Sequence, residues 1–219
     1  MLDVVKAQEV LEKVADLLDS LDAKYWIDSG TLLGAYRDKG IIPYDHDIDL
    51  RLLPSFPEEK MSELVTGLWK IGFKVIISNH GKRAELICIT GDKIMLDLKF
   101  AYQDKNLLWI YCYTQPYAID EPRVHCYPRK FFEHMGEIDL LGRKYPTPTP
   151  IEGYLEHHYG EWREFKKRPE QADETDLSWD YMYSPPCAMS LEELAQKRNG
   201  ASEIKEAVAP NKGGEKENN

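Results

Sequence analysis

Long hydrophobic runs are missing from this sequence. No stretch of about 18 apolar residues occurs in the 219 positions, so a membrane span is not expected. The first residues, MLDVVKAQEV, also lack the basic-then-apolar pattern of a signal peptide. The four cysteines are irregularly spaced and form no C-x-x-C pair, which is typical of reduced thiols rather than of a disulfide framework. Together these absences favour a cytoplasmic protein.

Positive charge is also scarce, because 28 Lys and Arg residues stand against 38 Asp and Glu residues and the formal net charge is −10. A nucleic-acid partner is therefore not expected, since nucleic-acid-binding surfaces are basic. An anionic substrate would need a local cationic site or bound metal ions. Internal repeats are absent too. The sequence does contain 42% hydrophobic and 11% aromatic residues, enough for the core of a sizeable globular domain.

The order of periodic patterns predicts an α+β fold, with an α/β-type mixed sheet flanked by helices. We predict one domain over residues 1–197 and a disordered polar tail over residues 198–219, which is rich in Gly, Pro and Asn and has no aromatic residue. Helices are predicted near residues 3–21, 57–72 and 150–162, and in LLGAYRD, with Thr31 as its cap and Gly40 as its stop. The predicted strands are YWID, HDIDLRLL, FKVIIS, RAELICIT, KIMLDLKFAY and LLWIYCYT, and a hairpin is predicted around Gly142.

Four ionisable residues occupy five positions in the stretch DHDID, residues 45–49, beside apolar neighbours. Alternation along a strand places Asp47 and Asp49 on one face, with Cα atoms about 6.6 Å apart, and Ile48 on the other. A bound cation would offset the repulsion between these carboxylates. His46 is next to Asp47 in the strand, so its side chain is expected on the opposite face, away from such a cation.

A third carboxylate, Asp97, is the lone acid of the apolar strand KIMLDLKF. Its burial without a partner would be unfavourable. Either it pairs with a cation such as Lys99 or Arg83, or it joins Asp47 and Asp49 at a metal site. Three oxygen donors suit Mg²⁺ or Mn²⁺, ions that commonly bind together with substrate phosphates.

The turn Gly30-Thr31 begins a predicted helix, where free N–H groups and the helix dipole favour a phosphate. Arg37 and Lys39 stand at the other end of that helix. They are either phosphate-binding cations or ordinary C-terminal helix cations, and the sequence favours neither. Zinc binding is a weaker hypothesis, because the spacing of its candidate ligands matches no known pattern; they are Cys112, His125, Cys126 and His134. Packing is the favoured role for His157, His158 and Tyr159.

The stretch DSGTLLGAYRDKGIIPYDHDIDL, residues 28–50, closely resembles the signature of the LicD family, approximately D-G-T-L-L-G-x-x-R-x-x-x-x-I-P-W-D-D-D-I-D. That family includes bacterial phosphocholine transferases and fukutin-type ribitol-phosphate transferases. The strand around Asp97 and the stretch PTPTPIEGYLEHHYGEW are similar to later family motifs, so the resemblance spans roughly residues 25–162. Two departures are His46 in place of the middle acid and Tyr44 in place of Trp. The segment 101–137 resembles nothing that we can assign.

This resemblance implies a nucleotidyltransferase fold of the polymerase-beta type. It implies transfer of an alcohol-phosphate from a CDP-alcohol to a sugar or glycan hydroxyl, with release of CMP. By position, Asp47 and Asp49 would bind Mg²⁺ or Mn²⁺, with Asp97 as third acid and candidate base. Gly30, Thr31 and Arg37 would hold the donor phosphates. The charges of Lys39, Arg83 and Lys99 make them further phosphate-binding candidates, apart from the resemblance. Two alternatives remain, a nucleotidyltransferase that moves NMP from an NTP and releases pyrophosphate, and a nucleotide-binding protein without turnover.

Overall fold

A five-stranded mixed sheet forms the centre of the computed structural model, which describes residues 2–79, 84–112, 123–163 and 187–207. Its strand order is β1-β2-β5-β4-β3. The β2 and β5 strands are parallel, and the other neighbouring pairs are antiparallel. The strands are β1 (Tyr25–Ile27), β2 (Asp47–Leu52), β3 (Phe73–Asn79), β4 (Ala84–Thr90) and β5 (Met95–Phe100).

Five helices accompany the strands in the described part of the chain, and they follow the predicted amphipathic patterns up to α4. The α2 helix continues as a π-helical turn, Gly34–Asp38, and a 3₁₀ turn, Glu58–Lys60, precedes α3. A further 3₁₀ turn spans Arg129–Phe132. The helices are α1 (Val4–Ser20), α2 (Ser29–Leu33), α3 (Met61–Ile71), α4 (Ile151–Tyr159) and α5 (Leu191–Ala207).

A second, four-stranded antiparallel sheet has the order β11-β8-β7-β6, and a separate hairpin joins β9 to β10. The predicted strand KIMLDLKFAY is divided between the two sheets at Ala101, whose N–H donates to the Leu52 carbonyl at 2.9 Å. The β8 and β11 strands were not predicted. The strands are β6 (Tyr102–Gln103), β7 (Leu107–Cys112), β8 (Arg123–Pro128), β9 (Gly136–Leu140), β10 (Arg143–Thr147) and β11 (Ala188–Ser190).

One large hydrophobic cluster includes residues from Leu2 to Cys187. The alternation in β2 works as predicted, since Ile48 and Leu50 are buried in this cluster. The helices α1 and α3 approach closely at Gly67, where an added Cβ would lie 2.3 Å from Leu17 Cδ1. The predicted α+β fold with a mixed sheet is therefore confirmed.

Three local predictions differ from the structure. Thr31 is not the helix cap, because α2 begins at Ser29 with Asp28 at the N-cap. Gly40 does not end that helix; Lys39 does, in a left-handed conformation with φ of 56°. The predicted boundary at residues 197/198 falls inside α5, which continues to Ala207. Residues 208–219 lie outside the described ranges, so the disordered tail stays a prediction.

Candidate active site

The strand pairing brings the three predicted carboxylates together. β2 and β5 run in parallel with Asp49 directly opposite Asp97, and Asp47 is two positions earlier on β2. One oxygen from each of the three carboxylates lies within 4.8 Å of the others. Asp47 and Asp49 are two positions apart, so strand alternation, as read from the sequence, puts both side chains on the sheet face that Asp97 shares. These three side chains form the acid cluster.

Arg51 lies at this cluster and was missed by the sequence analysis. Its guanidinium Nη2 donates to Asp49 Oδ1 at 2.7 Å, and Nη1 lies 3.4 Å from Asp97 Oδ2. Nη1 also donates to the Asp97 carbonyl at 2.9 Å. Arg51 is two positions after Asp49, so strand alternation places it on the same face as Asp47 and Asp49. This alternation could have been read from the sequence. A buried cation therefore holds two of the three acids in place.

Asp28, a fully buried carboxylate, anchors Arg51 from behind and was also missed. Arg51 Nε donates to Asp28 Oδ2 at 3.0 Å, and Tyr154 Oη donates to Asp28 Oδ1 at 2.5 Å. Burial opposes ionisation of Asp28, but the charge of Arg51 and the Tyr154 hydrogen bond lower its pKa. No sequence signal links Asp28 to Tyr154, because only the fold brings β1 and α4 together. The network fixes the arginine behind the cluster.

The electrostatics of the acid cluster are unfavourable for three bare carboxylates. Burial, together with the charges of Asp45 and Asp97, raises the pKa of Asp47 to about 6. Burial and the charge of Asp47 raise the pKa of Asp49 well above its usual range, and Arg51 only partly opposes this. Burial disfavours charged Arg51, yet the charges of Asp97, Asp49 and Asp28 raise its pKa, so it stays protonated.

A divalent cation fits the charge and the donor set of the cluster. Two cationic side chains, Arg51 and Lys99, face the ionised acids, and Lys99 Nζ lies 2.9 Å from Asp97 Oδ2. Arg51 only partly offsets the burial and mutual repulsion that raise the pKa values of Asp47 and Asp49, so a further positive charge would stabilise their ionised forms. Clustered carboxylate oxygens are the ligands that Mg²⁺ and Mn²⁺ prefer. The residues present therefore suit a hard divalent ion.

The predicted phosphate turn lies next to the cluster. Thr31 is buried and its Oγ1 accepts the backbone N–H of Asp49 at 2.9 Å. The turn therefore positions the β2 strand directly. Gly30 is covered by Asp45, whose Oδ2 would lie 2.0 Å from an added Cβ. Burial raises the pKa of the Asp45 carboxyl. A side chain at position 30 would have to displace the Asp45 carboxylate, which occupies the space that its Cβ would fill.

The two helix-end cations have other partners than the acid cluster. Arg37 forms a two-pronged ion pair with Asp38, at 2.8 Å for both contacts, and Nη2 donates to Tyr44 Oη at 3.3 Å. Lys39 Nζ donates to the Tyr36 carbonyl at 2.8 Å, which fits a helix-end cation. His46 is exposed and precedes β2. Arg83 lies outside the described residues.

The zinc hypothesis needs a correction. The Cys126 side chain packs in a small apolar cluster with Trp109, Val124, Met189 and Leu194, so it does not face His125, the neighbouring residue on β8. The Cys112 side chain is not described. His157 Nε2 lies 2.9 Å from the Cys126 carbonyl, and His158 is buried. The predicted set of Cys112, His125, Cys126 and His134 is therefore not assembled in the described part of the chain.

Comparison with known proteins places the acid cluster in a family context. The model of the LicD/FKTN/FKRP nucleotidyltransferase domain matches residues 22–150. An uncharacterized protein of Rickettsia prowazekii is 30% identical over 163 residues, which cover 72% of this chain and 55% of the relative. The ribitol-5-phosphate transferase FKTN of Homo sapiens is 28% identical over 184 residues, which cover 82% of this chain and 36% of FKTN. The chain thus spans about half the length, or less, of these relatives.

Among solved structures, the lincomycin-bound lincosamide antibiotic adenylyltransferase LnuA is similar to this chain with 17% identity and a TM-score of 0.45. The match covers 80% of this chain and 94% of LnuA. Within the described helices, none combines the length and the apolar character that crossing a bilayer requires.

The family match includes the turn at Gly30 and all three acids of the cluster, and it extends over more than half of the sequence. The chain therefore belongs to the LicD/FKTN/FKRP family and carries its nucleotidyltransferase domain, as a member of a family of transferases.

Proposed function

We propose that this chain transfers an alcohol-phosphate from a CDP-alcohol to a hydroxyl group of a sugar or glycan and releases CMP. The alcohol is of the choline, ribitol or glycerol type. The observation that carries the proposal is the acid cluster on the paired strands β2 and β5, where one oxygen from each of the three carboxylates lies within 4.8 Å of the others. The similarity to a named ribitol-5-phosphate transferase supports the alcohol-phosphate class. Among the described residues, Cys88 and Cys126 are buried and outside any disulfide, which fits a reducing compartment such as the cytoplasm.

The proposed metal ligands are Asp47, Asp49 and Asp97, which would hold Mg²⁺ or Mn²⁺. Such an ion, when bound, neutralises charge on the donor phosphates and orients them. The role of Arg51 is to hold Asp49 and Asp97 in fixed positions from the buried side. Because phosphoryl transfer depends mainly on positioning and charge neutralisation, rigid carboxylates serve this reaction directly.

The bond changes follow from the proposed substrates. The acceptor hydroxyl oxygen attacks the phosphorus that bears the alcohol, the bond from that phosphorus to the CMP oxygen breaks, and CMP leaves. Asp97 is the proposed acceptor of the hydroxyl proton. The residues proposed to contact the donor phosphates are those named from the sequence, Gly30, Thr31, Arg37, Lys39, Arg83 and Lys99. Of these, Thr31 and Lys99 already contact residues of the acid cluster.

A second candidate is a nucleotidyltransferase that moves NMP from an NTP to a small-molecule acceptor and releases pyrophosphate. The same cluster would serve it, because the two reactions differ in which phosphorus is attacked. The name of the matching domain supports this candidate. A third candidate, nucleotide binding without turnover, is supported by His46, which stands where the family motif has an acid.

The product of the reaction separates these candidates. The chain is incubated with Mg²⁺ or Mn²⁺, a panel of sugar acceptors, and CDP-choline, CDP-ribitol, CDP-glycerol or CTP, and nucleotides are separated by chromatography. We expect CMP from a CDP-alcohol, absent in an Asp47→Asn variant. Pyrophosphate from CTP would instead establish the second candidate. Donor binding seen by thermal shift, without either product, would establish the third.

A further inference from the structure

A second group of potential metal ligands lies apart from the acid cluster. It consists of His125 on β8, His158 on α4 and Cys187, which immediately precedes β11. One ligand atom from each of the three side chains lies within 4.8 Å of the others. The proposed transfer reaction uses none of these residues. Two of the three lie beyond residue 150, where the match to the family domain ends.

Backbone contacts hold the three segments in place independently of any ion. β8 pairs with β11, with His125 opposite Ala188, and the Cys126 N–H donates to the Cys187 carbonyl at 2.9 Å. The α4 helix contacts the same strand, since His157 Nε2 lies 2.9 Å from the Cys126 carbonyl. The positions of the ligands are therefore set by the fold.

The chemistry of the buried side chains suits metal binding. His158 is 3% exposed, and its imidazole offers a ring nitrogen to this group of ligands. Tyr127 Oη lies 2.8 Å from His158 Nδ1 and 4.0 Å from Cys187 Sγ. Metal-bound histidines and thiolates commonly have such oxygen partners, which orient the ligand groups. Cys187 itself is 1% exposed, so its sulfur is shielded from solvent.

We propose that His125, His158 and Cys187 bind one zinc ion. Two imidazoles and a thiolate suit zinc, whereas the all-oxygen acid cluster suits Mg²⁺ or Mn²⁺. A tetrahedral zinc would bring the ligand atoms to about 3.3–3.6 Å from one another, a small contraction from the present arrangement. The Cys187 thiol loses its proton to solvent on binding. The fourth coordination position takes water or a further side chain.

The ion would act as a link between distant parts of the chain. It would tie Cys187, and the β11 and α5 elements that follow it, to β8 and to α4. The same α4 helix carries Tyr154, which donates to Asp28 behind the acid cluster. Zinc at this site would therefore stabilise the C-terminal half of the fold, with free energy that comes from ligand binding to the native state.

The test measures zinc binding by the full chain, freed of metal with a chelator and then titrated against a zinc-binding dye. We expect one zinc per chain in the wild type, and affinity at least about tenfold lower for Cys187→Ser and for His125→Ala. Cys126→Ser is the matched control, because that buried thiol packs in a separate apolar cluster. It should keep the affinity of the wild type. Cobalt substitution should give a thiolate-to-cobalt absorption band that Cys187→Ser lacks.

Two results would overturn the zinc site. One is a wild type that binds zinc no more tightly than Cys187→Ser and His125→Ala. The other is loss of zinc binding in an Asp47→Asn/Asp49→Asn double variant when both ligand variants keep it, which would assign the zinc to the acid cluster. Circular dichroism of each metal-free variant checks folding. His125 is only partly buried, so His125→Ala gives a readout even where Cys187→Ser does not fold.

Discussion

Arg51 Nη2 donates to Asp49 Oδ1 across 2.7 Å, and the two residues stand two positions apart on the same face of β2. Both side chains are buried, and the guanidinium also contacts Asp28 and Asp97. The arginine thus offsets part of the charge of the acid cluster and leaves the rest for a divalent ion. It also restricts the carboxylates to one arrangement, which phosphoryl transfer requires.

Removal of the buried arginine is expected to destabilise the protein strongly. Arg51→Met leaves Asp28 and Asp49 without their cation, and breaking a buried pair in this way costs about 3–5 kcal/mol. Denaturant unfolding at pH 7 in the absence of metal measures the loss. The matched control is Arg143→Met, whose partners Asp16 and Asp19 are exposed, and which should lose about 1 kcal/mol or less. Equal losses in the two variants would contradict the buried network.

Substitution in the acid cluster is expected to remove metal binding without unfolding the protein. Asp47→Asn keeps the shape of the side chain and removes a charge that has no contact with Arg51 among the described ion pairs. We expect Mn²⁺ affinity, measured by calorimetry, to fall by about 100-fold or more. Substitution of a residue that only contacts a metal ligand already lowers metal affinity by about 10–100-fold, and Asp47 is a proposed ligand itself.

Asp22→Asn is the control for this loss. Asp22 is exposed, its φ of 52° is one that asparagine tolerates, and its substitution should leave Mn²⁺ affinity unchanged. Unaltered Mn²⁺ binding in Asp47→Asn would remove this residue from the metal site.

The metal-free protein is expected to lose stability as pH rises through the range set by Asp47. Its pKa is about 6 in the folded state against 3.8 as the ordinary value, so the folded state binds more protons between these limits. Stability contributed by protonated Asp47 is therefore present below about pH 4 and lost as pH rises to about 6, on the order of 3 kcal/mol. Saturating Mg²⁺ at pH 7 should restore it.

The measurement of this effect must be a difference between two proteins. His158 has a folded pKa of about 4 against 6.5, so its burial gives the opposite slope, with stability gained as pH rises from about 4 to about 6.5. Subtracting the unfolding free energy of Asp47→Asn from that of the wild type cancels this term. We expect the difference to fall between pH 4 and pH 6.5; a flat difference would show that Asp47 is not perturbed.

The close approach of Asp45 to Gly30 predicts a specific rescue. In Gly30→Ala the new methyl group meets the Asp45 carboxylate, and such overpacking costs about 1–3 kcal/mol. Adding Asp45→Ala removes the clash, so Gly30→Ala should then be neutral or stabilising because alanine favours the helix. Thermal unfolding of the four proteins gives the coupling. Gly40→Ala, with nothing within 4 Å of its added Cβ, is the control, and destabilisation of the same size there would refute the contact.

The sequence predicted much of this fold for a simple physical reason. Helical periodicity and strand alternation are local, so α1, α3 and β2 appeared with nearly correct bounds. The β8 and β11 strands were missed because the polar–apolar alternation in RVHCYP covers only residues 123–126 and β11 has only three residues. Short strands of this kind form because of their partners and not because of their own pattern.

The candidate site was predictable to the same extent. Alternation along one strand put Asp47 and Asp49 on a shared face, and the same alternation would have placed Arg51 on that face too. The role of Thr31 as acceptor for the Asp49 N–H was not predictable, because that contact depends on how α2 packs against β2. The sequence had suggested a helix cap and a phosphate contact for this threonine.

By itself, the sequence determined the alternation of β2, the isolated acid in the apolar strand β5, and a motif specific enough to indicate the family. The tertiary structure alone decided that β2 and β5 pair in parallel with Asp49 opposite Asp97. It also decided that Asp28 and Tyr154 meet behind Arg51, and that His125, His158 and Cys187 converge. The reason is that local patterns fix which face a residue occupies, whereas pairing between distant segments depends on packing of the whole core.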